Sequence, residues 1–130
     1  MKITASIEQQ QNPVPRFIAD LLYGATVLHM MHLQTRSFAQ HSALSFYEDL
    51  EDMVDKFAEE YQGIYGMVES YPNPSTTNVK DPVVFISAMH DFVEIARKSP
   101  GFPQDSCLQN TVDEIAGGIA KTMYKLKFLA

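Results

Sequence analysis

Three of the four histidines in this chain lie close together: His29, His32 and His41. His29 and His32 are three residues apart, one turn along one face of a helix. Downstream, Asp55 and Glu59 are four apart and share a face in the same way, with Asp52 one turn before Asp55. Imidazole nitrogens with carboxylate oxygens form a ligand set for iron, zinc or manganese. Facing helices of a bundle build such sites by projecting side chains toward one another. The same residues have a plainer reading. His32 falls on an apolar stripe, where a histidine hydrogen-bonded to a carbonyl or carboxylate is common. The run Glu48, Asp52, Asp55 and Glu59 also fits a solvated face.

Other chemistry is thinner. There is no glycine-rich phosphate loop, no serine nucleophile elbow and no His-Glu-x-x-His motif, so no catalytic residue is assigned. His90 and Glu94 share a helix face and could join a metal site drawn from all the helices. Met30-Met31 reads as packing, and Asp113 with Glu114 as acidic first turns of a helix. Cys107 is the only cysteine, which argues for a reducing compartment and an incidental thiol. Net charge is −6, so nucleic acid is a poor partner; Lys121, Lys125 and Lys127 read as cations at a helix C-terminus.

The elements that must position these residues are helices throughout. A chain of 130 residues with 45% hydrophobic and 20% charged residues suits one globular domain. No apolar run reaches the roughly 20 residues that span a bilayer. Residues 1–12 are polar and glutamine-rich and read as a mobile tail without a signal-peptide core, leaving 13–130 as the domain. The first helix opens at Asn12-Pro13, a cap followed by a proline start. Val14, Ile18, Leu21, Ala25, Leu28 and His32 form its seam, but Phe17, Leu22, Tyr23, Val27, Met30 and Met31 make it apolar nearly all round. That excess predicts a subunit interface. A short connection over Ser37–Gln40 leads to a second helix from His41 or Ser42 to Gly63 or Gly66. The loop Tyr71–Lys80 crosses to a third helix, capped by Asp81-Pro82 and stopped before Pro100-Gly101. Ser106 with Gln109 is a capping box for the fourth. Gly117-Gly118 within it permits close approach or a kink. The fold expected is all-α, an antiparallel four-helix bundle, forming a homodimer or higher oligomer.

Two family resemblances add to this. His32-Leu33-Gln34-Thr35-Arg36-Ser37, then Phe38 and His41, with Asp55-Lys56-Phe57-Ala58-Glu59 downstream, resembles the ferroxidase motif of Dps-type mini-ferritins. That resemblance implies that the bundle is of ferritin-like type, with iron bound between two subunits. His32 and His41 would come from one, Asp55 and Glu59 from the other, with His29 and Asp52 as additional ligands. Separately, Leu28 to Ala39, Phe57 to Gly63 and the ending Tyr124-Lys125-Leu126-Lys127-Phe128-Leu129 resemble a family of small tailed-phage proteins across the whole chain. This implies a viral origin and the host-cell cytoplasm. Two functions follow: a Dps-like metal-binding accessory protein, with ferroxidase activity if the site is intact, or a non-catalytic protein that binds and modulates a host or viral protein.

Overall fold

The computed structural model describes residues 12–130, so the tail expected at the N-terminus lies outside the described residues apart from Asn12. Four long helices and one short one make up the described chain, with no strand among these residues: α1 (Val14–Leu33), α2 (Phe38–Leu44), α3 (Phe46–Tyr65), α4 (Pro82–Arg97) and α5 (Ser106–Phe128). Local chemistry sets most ends. Asn12 Oδ1 accepts from the Val14 N–H at 3.1 Å, but Pro13 is the N-cap in place of Asn12, because its carbonyl accepts the first helical bond, from Phe17 N–H. Asp81 accepts from the amides of Val83 and Val84 before Pro82 starts α4. Gly66, with φ +97°, ends α3 while its N–H reaches Gln62 O; Gly63 stays inside the helix.

Two boundaries depart from expectation. The segment read as a connection is already helical, because Ser37 acts as an N-cap and accepts from the Gln40 N–H at 3.0 Å. The resulting α2 stops at Ser45, whose hydroxyl donates back to Ser42 O at 2.6 Å. That bend lets Leu44 and Phe46, on either side of it, both enter the core. At α5 no capping box forms. Helix α5 begins at Ser106 after Asp105, and Gln109 turns to Arg97 and Pro103 O instead.

Cross-helix pairs define the topology. His29 meets Tyr47 and Phe17 meets Phe57, so α1 and α3 run antiparallel. Lys56–Glu114 and Glu60–Thr111 make α3 and α5 antiparallel. Arg97–Gln109 and Arg97–Asp113 join α4 to α5. Phe17–Phe92, with Gly24 against Met89, joins α1 to α4. Helices α3 and α4 therefore point the same way, and residues 66–81 must cross the length of the bundle. An extended chain at about 3.3 Å per residue covers the roughly 30 Å of a 20-residue helix with slack. The crossover is pinned to α1, where Asp20 Oδ1 accepts from Ser75 N–H at 2.8 Å and Tyr23 OH from Thr77 N–H at 3.4 Å.

This path accounts for much of the apolar excess on α1. Packed by α3 on one side, by α4 on another and overlain by the crossover, it buries Phe17, Val27 and Met31 as well as the seam from Val14 to Leu28, while His32 is half-buried. Leu22, Met30 and Leu33 remain exposed. The core centres on Phe17, Phe57 and Phe102, each at most 4% exposed, with Phe17–Phe102 and Phe17–Phe57 rings edge-on at 5.0 and 5.2 Å. Burying each such ring contributes about 1.5–3 kcal/mol.

Candidate metal centre

The hairpin brings His32 and His41 together at the α1–α2 corner, their rings stacked at 3.6 Å. His32 Nδ1 donates to His41 O at 2.7 Å, and His41 Nδ1 donates to His32 O at 2.8 Å. A carbonyl oxygen only accepts, so these bonds assign the proton of each ring to Nδ1. Each Nε2 is then the nitrogen left to bind a metal or a further proton. Thr35 closes the clasp: its hydroxyl donates to His32 O at 2.9 Å and lies 3.1 Å from His41 Nδ1. His29 is engaged separately, stacked at 3.9 Å on the Tyr47 ring of α3.

The carboxylates are elsewhere in the protomer. Antiparallel pairing sets the end of α1 beside the start of α3, so the histidines sit at the level of Tyr47. Asp55 and Glu59 follow Tyr47 by eight and twelve residues, or about 12 and 18 Å along the helix. Both are exposed, as is Asp52, which borders a groove beside Lys121 and Lys125. Among the described residues, no group of three or more histidine, cysteine, aspartate or glutamate side chains could hold a metal ion. A single chain thus supplies the histidine pair and the carboxylate pair separately. His90 and Glu94 make no site either: Glu94 pairs with Arg97 at 3.5 Å and Lys98 at 3.9 Å. Cys107 is a free, exposed thiol.

Sequence reasoning missed the role of Arg97. Its guanidinium meets Gln109 Oε1 at 2.8 Å, Gln109 O at 3.2 Å and Asp113 at 2.6 Å, locking α4 to α5. The helix-end positions of Gln109 and Asp113 each admitted a simpler local role, which hid it. Two tyrosines are also perturbed. Partial burial, then the hydrogen bond and charge of Glu48, push the Tyr47 phenol above its ordinary range. The hydrogen bond to Asp105 is the main cause of the same rise at Tyr65. Tyr65 lines an open cleft of about 1070 Å³ between the crossover, the start of α1 and the end of α3.

With this geometry established, comparison with known proteins places the chain. Residues 32–126 match the profile of DUF5856, a family of unknown function. The chain belongs to that family. It is also similar to an uncharacterised 14.6 kDa protein encoded in the mobD–ri intergenic region of Enterobacteria phage T4, 27% identical over 112 residues. That alignment spans 85% of this chain and 84% of the T4 protein. No solved structure matches. The expected family of small phage proteins is therefore borne out, while the DUF5856 profile and the T4 protein carry no ferritin description. No helix of the described residues is long and apolar enough to cross a membrane.

Proposed function

We propose that this DUF5856 protein is a non-catalytic phage interaction protein that binds a host or viral protein through its α1–α2 corner. One observation carries the reading: Phe38 is 86% exposed, yet it begins a short helix fixed by a serine cap and a double histidine clasp. A large ring held out in water on an ordered support fits an interface anchor, since little side-chain and backbone freedom is lost when a partner covers it. Leu33, 68% exposed, and Met30, 49% exposed, extend the apolar surface from the end of α1. The test is affinity capture from infected-cell lysate with wild-type protein and with Phe38→Ser. A partner held by the first and lost by the second, at equal helicity and thermal stability, supports the reading. Equal capture by both removes the corner from the function.

A Dps-like metal site is a second reading, supported by the histidine tautomers. Donation of Nδ1 to a carbonyl is the outer-shell arrangement that orients metal-bound imidazoles, and a single end-to-end crossover is the connectivity of ferritin-like bundles. In this scheme His32 and His41 of one protomer meet Asp55 and Glu59 of another around iron. Ferrous-iron titration with His41→Ala and Asp55→Ala as controls decides it: stoichiometric binding lost in both variants supports the site, and indifference to iron ends it.

A further inference from the structure

Two surfaces of opposite charge adjoin on this molecule: Lys121 and Lys125 line one groove with Asp49 and Asp52. The first is the end of α5. There Lys121, Lys125 and Lys127 flank Tyr124 and Phe128, whose rings lie 5.9 Å apart and are 54% and 73% exposed. The second is the outward face of α3, where Glu48, Asp52, Asp55 and Glu59 form one exposed stripe. Leu22, His29 and Leu33 share a line on α1, and His29 stacks on Tyr47, so the exposed Leu22 and Leu33 border α3. None of these lysines and carboxylates makes an ion pair among the described residues, whereas Lys56, Arg97 and Lys98 do.

The helix macrodipole accounts for lysines at the end of α5. It does not account for two exposed aromatic rings between them. A cationic, aromatic surface calls for an anionic surface with apolar ground beside it, and α3 with the edge of α1 is such a surface. We propose that the α5 end of one copy docks on the acidic α3 face of a second copy. The two surfaces lie side by side, so a two-fold contact uses both at once and closes a dimer, whereas a head-to-tail contact leaves one of each free at the ends of the assembly. The net charge of −6 on each copy opposes approach from afar. At physiological ionic strength screening acts within about 8 Å, so the facing charges decide the contact. This inference rests on reading the protein as an interaction module, but on a different face from the Phe38 corner.

Sedimentation velocity of the full chain with EDTA present tests it, at about 0.15 M salt and over about 10–500 µM, a range suited to a modest interface. The mean mass is expected to rise above 14.7 kDa with concentration and to fall back when salt is raised to about 0.5 M. Lys121→Glu/Lys127→Glu and Asp55→Lys/Glu59→Lys, each with wild-type helicity, are expected to remain at 14.7 kDa alone and to associate when mixed. A wild type that stays monomeric throughout overturns the proposal, including when it binds anionic vesicles or DNA instead. So does association that both variants retain, or a mixture that fails to associate. Association lost only in Phe38→Ser moves the self-contact to the α2 corner and overturns this placement. Retained association in Phe38→Ser, together with equal partner capture by wild-type protein and Phe38→Ser, leaves the α5–α3 contact standing and removes the corner.

Discussion

The two ends of the bundle bring rings together for opposite purposes. At one end Phe17, Phe57, Phe92 and Phe102 pack with centroids 5.0–5.9 Å apart, three of them at most 4% exposed. At the other, His32 stacks on His41 and His29 on Tyr47 at the surface, each pair closer than 4 Å. Phenyl rings contribute by leaving water, so their end carries the stability of the fold. Imidazoles contribute through directed hydrogen bonds, so the other end gains a defined shape at modest net energy. A sealed end and a shaped end are what an interaction module requires: one holds the scaffold, the other presents the contact.

The sharpest break of this contrast is at the sealed end. Phe57→Ala is expected to cost about 3–5 kcal/mol through the lost ring and the cavity left behind, lowering Tm in a thermal melt. His41→Ala at the shaped end is expected to cost only about 1–2 kcal/mol while speeding amide hydrogen exchange across α2. Equal losses at both ends would end the distinction. Two adjacent glycines in α5 give a finer test. A Cβ at Gly118 would lie 2.6 Å from the Phe46 ring, so Gly118→Ala is expected to destabilise by about 1 kcal/mol or more. A Cβ at Gly117 would meet nothing within 4 Å, so Gly117→Ala is expected to stabilise by about 0.8–1 kcal/mol in the same denaturation assay.

The smallest effect is alkaline. Tyr47 at the shaped end and Tyr65 near the sealed end both hold their protons more tightly folded than unfolded. Their contribution to stability is complete below the unfolded value near 10 and is lost as pH rises through the higher folded values. Ultraviolet titration of phenolate should show late-ionising tyrosines, with one late component removed by Tyr65→Phe.

The sequence by itself determined the helices and their inward faces. Seam residues of the first helix from Val14 to Leu28 are buried as their spacing requires, because a 3.6-residue period leaves few ways to hide such a stripe. Asp81 and Gly66 were legible because a cap acts within a few residues of itself. It also offered a carbonyl or a carboxylate as the partner of His32, and the structure decided for the His41 carbonyl. Choices between distant partners belonged to the tertiary structure. Gln109 left its local cap for Arg97, and the crossover took up part of the apolar surface of α1. The histidines and Asp55 were separated along α3 by antiparallel pairing, a distance that residue types and local spacing do not encode. Spacing specifies which side chains share a face; packing decides which faces meet.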